Sequence, residues 1–213
     1  MLTLDAREVR VLGSLIEKEL STPDYYPMTL NSIATACNQK SNRDPVVDYE
    51  QSDIIDALDG LQRKRLVGNA SSSHDRAAKY RHALAEVMDL KPPMLAVLSS
   101  LMLRGHETAG ELRARTTRMH PFESLDEVDA VLGELSDRES PLVVQLPRRP
   151  GQKEARYAHL FAGEPAVNDD DPITSGDRRT EERLGDLEQQ IEALRDRLDE
   201  LTDAFQSFRR QFE

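Results

Sequence analysis

The sequence predicts a mainly helical α+β protein: tandem winged-helix domains at residues 1–88 and 89–164, then an acidic flexible linker at 165–177 and a coiled-coil helix at 178–213. Three observations carry this prediction. Each of the first two segments shows three helical apolar patterns followed by a hairpin pattern. The segments also match one another: Ile54, Leu58 and Leu61 recur as Val128, Leu132 and Leu135. Each closes on a basic residue before Tyr-x-His, Lys79-Tyr80-Arg81-His82 and Arg156-Tyr157-Ala158-His159, which marks an internal duplication. Finally, an unbroken three-four apolar spacing runs through the C-terminal segment.

In the first segment Val9, Leu12, Leu15, Ile16 and Leu20 form a helical stripe that Thr3 or Asp5 can cap. Two prolines between Ser21 and Pro27 end it. Thr29 can cap a second helix whose apolar face is Leu30, Ile33, Ala34 and Cys37. The polar stretch Asn38–Pro45 separates it from a third helix, expected to start between Tyr49 and Ser52 and to bury Ile54, Ile55, Leu58 and Leu61. Leu66-Val67 and Lys79–His82, joined through Gly68–Asp75, read as a hairpin.

The second segment begins after Pro92-Pro93 with Met94, Val97, Leu98, Leu101 and Met102 on one helix. Thr108 can cap a helix carrying Leu112, and Val128, Leu132 and Leu135 mark the third. Leu142–Leu146 and Ala155–Leu160 flank the turn Arg148–Lys153. The Asn-, Asp- and Pro-rich stretch after it reads as a solvated linker. Beyond lies a narrow stripe of Leu184, Leu187, Ile191, Leu194, Leu198, Leu201, Phe205 and Phe208, continued by Phe212, on an otherwise charged helix. Such a stripe needs a partner helix, and a homo-oligomer, with a dimer favoured, is the expected partner; docking on the chain's own domains is the alternative.

Composition narrows the function classes. No apolar run is long enough for a membrane span and no signal peptide pattern opens the chain, so a cytoplasmic location is expected. One cysteine, Cys37, forms no internal disulfide, and on the apolar face of the second helix it reads as a core thiol. The five histidines fall in no metal-ligand spacing and no phosphate-cradling glycine loop occurs. No metal, no cofactor and no catalytic residue are therefore expected, and His82 and His159 read as structural. The net charge of −11 is concentrated in the tail: basic against acidic residues number 11 and 14 in 1–89, 10 and 11 in 90–164, and 7 and 14 in 165–213.

Tyr25-Tyr26-Pro27, the run Cys37–Val46, Lys79–His82, Gly110–Arg113 and Arg118–Phe122 are specific enough to compare. With them the chain, over roughly residues 2–161, resembles the YceH family of bacterial proteins of unknown function. The resemblance implies a tandem winged-helix fold and carries no activity with it.

Two functions follow from this fold, from different residues. A regulator binding duplex DNA would contact backbone through the polar loop (Lys40, Ser41, Asn42, Arg43), the second-domain helix and its exit (Arg113, Arg115, Arg118) and the second hairpin tip (Arg148, Arg149, Lys153). Against it, both third helices are acidic where a reading helix presents donors to bases: Glu50, Asp53, Asp56 and Asp59 in one, Glu123, Asp126, Glu127, Asp129 and Glu134 at the other. The alternative is an acidic adaptor whose third helices dock a protein partner, with Arg43 bridging to a carboxylate and the loop serving as a turn.

Overall fold

Helix starts are set by side chains that satisfy the first unpaired backbone N–H groups. A computed structural model describes residues 2–71, 77–148 and 154–165. Helix α1 (Ala6–Ser21) is capped by Asp5, which accepts from the Glu8 N–H at 2.8 Å while the Glu8 carboxylate accepts from the Asp5 N–H at 2.9 Å. A 3-10 turn at Pro23–Tyr25 leads to a two-residue strand β1 (Met28–Thr29). Thr29 then caps α2 (Leu30–Cys37). Helix α3 (Gln51–Arg63) starts at Glu50, whose N–H donates to Asp53. Strands β2 (Val67–Asn69) and β3 (Lys79–His82) follow. The antiparallel sheet has the order β1-β3-β2, with Met28 opposite Tyr80 and Val67 opposite His82.

A short helix α4 (Leu84–Met88) joins the second repeat. Helix α5 (Pro92–Arg104) has proline in its first turn, where no N–H is needed, and stops at Gly105, whose φ of 81° favours glycine. Thr108 and Glu111 form a capping box for α6 (Ala109–Thr116), and Ser124 caps α7 (Leu125–Ser136). Strands β4 (Val143–Gln145) and β5 (Tyr157–His159) pair antiparallel. Just before α6, Glu107 bridges to Tyr157, the counterpart of the pairing between β1 and β3 before α2.

The protein is therefore α+β, and the order of three helices and an antiparallel hairpin occurs twice within one compact unit, Met1–Val167. The buried apolar side chains of both repeats form a single cluster. Its seam is α1 against α5, where the Ser99 hydroxyl donates to the Gly13 carbonyl at 3.0 Å and a Cβ at Gly13 would stand 3.0 Å from the Met102 Cβ. The Leu4 N–H donates to the Phe161 carbonyl at 2.7 Å, tying the first residues described to the last. No helix among the described residues is long and apolar enough to cross a membrane. Linker residues 166–177, the coiled-coil stripe (Leu184 to Phe208), Arg149 and Lys153 lie outside the described residues.

The structure departs from the sequence reading at α3. Ile55, expected in the core, is 44% exposed. The buried stripe is Ile54, Ala57, Leu58 and Leu61, and at 100° per residue position 55 rotates out of it.

Candidate interaction surfaces

The polar loop between α2 and α3 is built into the protein. Asn42 adopts a φ of 60°, a left-handed conformation that asparagine tolerates. Arg43 then turns inward and is 5% exposed. Its guanidinium donates to both Glu17 carboxylate oxygens, at 3.1 and 2.6 Å, and to the carbonyls of Ala36 and Asn42. The Asp44 N–H donates to the Leu103 carbonyl at 2.9 Å, and Arg10 donates to the Pro45 carbonyl at 2.5 Å. Asn38 closes the loop by exchanging two hydrogen bonds with the Tyr49 backbone, both at 2.9 Å. The loop thus links α1, α2 and the end of α5. Of its four candidate contact residues, Lys40, Ser41 and Asn42 are exposed and Arg43 is an interior ion-pair residue.

Two further arginines, buried Arg10 and partly buried Arg104, adjoin this interior, and sequence reasoning missed both. Burial lowers the pKa of Arg10, with the nearby Arg43 charge adding to the effect; burial also lowers that of Arg104, which Glu107 partly offsets. Their signal was position: Arg10 lies between Val9 and Val11 on α1, and Arg104 ends the apolar helix α5.

In the second repeat two of the four described candidate cations, Arg113 and Arg115, bind within the fold. Arg115 pairs with the fully buried Glu107 at 2.7 Å and with Glu111 at 3.6 Å, while Arg156 pairs with Glu111 and donates to the His106 carbonyl. Arg113 donates to the Glu123 carbonyl at 2.7 Å and, at 3.4 Å, to that of Phe122, pinning the turn before α7. Arg118 and Arg148 are exposed. Burial raises the pKa of Tyr157; Asp129 raises it further and Arg148 lowers it, so both charges lie near this hydroxyl.

The two histidines at matching hairpin ends differ in role. His82 is buried, pairs through Nε2 with Glu19, and accepts from the Leu84 N–H at Nδ1. The pKa of His159 falls to about 4, through burial first and the charge of His106 second. Burial pushes the Cys37 thiol up to about 11, and it contacts the Ser14 hydroxyl at 3.6 Å, a packed core thiol. Among the described residues no group of three or more His, Cys, Asp or Glu could hold a metal ion.

What remains outward on the third helices is acidic with an apolar centre. On α3, Ser52, Ile55, Asp56 and Asp59 share the exposed face. On α7, Leu125 is 46% exposed beside exposed Asp126, Asp129 and Ala130. Leu125 also lines a groove of about 460 Å³ between α6 and α7, with Phe122 and Ala114.

The class these features define is a duplicated α+β protein with two trihelical, hairpin-bearing repeats on a common core. The chain belongs to the DUF480 family: the model described as "Protein of unknown function, DUF480" matches residues 4–152. A UPF0502 protein of Geobacter sulfurreducens is 50% identical over 212 residues, 97% of this chain and 96% of that protein. One from Geotalea uraniireducens is 50% identical over 216 residues, covering 99% and 98%. A third, from a Shewanella species, is 40% identical over 211 residues, 93% of this chain and 97% of its own. Coverage of this extent runs past residue 161, so these relatives share part of the C-terminal segment as well.

Proposed function

We propose that this protein is a non-enzymatic adaptor built from two winged-helix units, docking a protein partner through the exposed faces of α3 and α7. The observation that supports it is the pairing of exposed Ile55 and Leu125 with Asp56, Asp59, Asp126 and Asp129 on the helices that would enter a DNA groove. Phosphates meeting these faces would be repelled, whereas a protein segment gains apolar burial at each centre. The pairing of Arg43 with Glu17 and of Arg115 with Glu107 takes two of the candidate cations away from DNA contact.

The test is photo-crosslinking from positions 55 and 130 of the full chain in bacterial cells. The adaptor reading expects a discrete protein adduct that disappears when Asp56 and Asp59, or Asp126 and Asp129, become lysine. No protein adduct from either position sinks it. Self-association through Leu184 to Phe208 would double the number of docking faces and raise avidity. Sedimentation should then show a dimer that Leu194→Asp with Leu198→Asp dissociates.

DNA contact through exposed Lys40, Arg118 and Arg148 is the second reading, favoured by the position of Arg148 next to strand β4 at the hairpin. It requires duplex affinity that falls steeply with salt and a slope that flattens in Arg148→Glu.

A further inference from the structure

The groove between α6 and α7 differs from the α3 face in being concave. Its floor and walls are Gly110, Ala114 and Thr117 from α6 and its exit, and Phe122 and Leu125 from the turn and start of α7. Its volume of about 460 Å³ lies within the usual range for a binding pocket, and Leu125 at its edge is nearly half exposed. Arg113 also lines it, exposed and charged, with its guanidinium turned to the carbonyls of Glu123 and Phe122. The adjoining surface carries exposed Glu123 in the turn before α7 and exposed Asp126 and Asp129 on α7.

We infer that this groove seats one large apolar side chain of a partner protein, on a segment whose neighbouring residues are lysine or arginine. The proposal rests on the adaptor reading and adds the partner's chemistry. An apolar floor rewards a buried anchor, as interface hot spots do, while the acidic flank sets which residues can stand beside that anchor. A phosphate-bearing partner meets the same acids and is disfavoured. The flank also makes association dependent on ionic strength, with anchor burial largely independent of it.

The test is selection of a displayed library of random 16-residue peptides on the full chain, with counter-selection on Ala114→Trp. Ala114 is exposed, so the indole fills the groove without entering the core; circular dichroism and thermal melting check that the variant folds. The expected winners carry a Leu, Phe or Met with Lys or Arg three or four residues away. Affinity should drop at least tenfold in Ala114→Trp and several-fold in the Asp126→Lys, Asp129→Lys double variant. Winners that bind Ala114→Trp equally well, that lack basic residues, or that compete with a duplex oligonucleotide overturn the proposal. An Ile55 cross-link that persists alongside such a result leaves the adaptor reading standing and removes the groove alone.

Discussion

Arg43 is held on three sides, by the Glu17 carboxylate, the Ala36 carbonyl and the Asn42 carbonyl, with its side chain closed to solvent. A buried charge in such a cage is strongly coupled to its partner. Arg43→Ala leaves the mostly buried Glu17 carboxylate without its fork, and the expected destabilisation is about 3–5 kcal/mol. Removing both partners should cost less than the sum of the single losses, a difference that a double-mutant cycle in urea measures. The same pair predicts a pH dependence. Burial alone would raise the Glu17 pKa, but the bond and charge of Arg43 outweigh it and the net value falls below 4.5. A carboxyl more acidic in the folded state contributes its stability above pH 4.5 and loses it as pH falls through the folded value. Glu17→Gln should flatten that part of the acid unfolding curve. His159 acts over a different window. Its folded pKa of about 4 against an ordinary 6.5 means the unfolded chain takes up the proton first. Stability should therefore decline as pH falls from 6.5 to about 4, and His159→Gln should remove that slope in thermal melts followed by circular dichroism.

At the scale of elements, the contact of α1 with α5 depends on what is missing at Gly13. An added Cβ meets Met102 at 3.0 Å and Leu103 at 3.1 Å, both in packed helix, so a larger residue must push the helices apart. Gly13→Leu is expected to destabilise by about 1–3 kcal/mol or more through overpacking. Gly68→Ala, with open space around its added carbon, is expected to change stability by no more than a few tenths. Urea midpoints for the two variants would decide it, and equal shifts would refute this account of the seam. The stripes that define α1, α2, α3, α5 and α7 were legible because apolar side chains recur at helical spacing, and Asp5, Thr29 and Thr108 announced helix starts. Strand β1 was not legible: two residues, Met28 and Thr29, hold no alternation, and their strand identity comes only from pairing with β3. Arg43 stayed open between surface contact and carboxylate bridge because nothing local distinguishes an arginine turned inward, and Glu17, its partner, lies 26 residues away.

At the scale of the whole molecule, the duplication was readable and the shared core was not, although a signal for it existed. Met94 to Leu103 is buried at every position, so α5 has no solvent face over that stretch and must be covered on more than one side. On α1 the run Glu8 to Ile16 is buried throughout for the same reason. Each helix serves its own repeat with one face and the other repeat with the second, so neither repeat retains a complete surface when the other unfolds. The two should then melt as one cooperative unit. The chain lacks tryptophan, which permits clean reporters: Tyr80→Trp in the first repeat and Tyr157→Trp in the second. Fluorescence of the two variants is expected to give coincident urea transitions with the same midpoint and slope. Adding Arg43→Ala, whose hydrogen-bond partners Glu17, Ala36 and Asn42 all lie in the first repeat, should move the transition reported from position 157 as far as the one reported from position 80. A second-repeat transition that stays in place while the first shifts would mean that the seam between α1 and α5 does not couple the two halves.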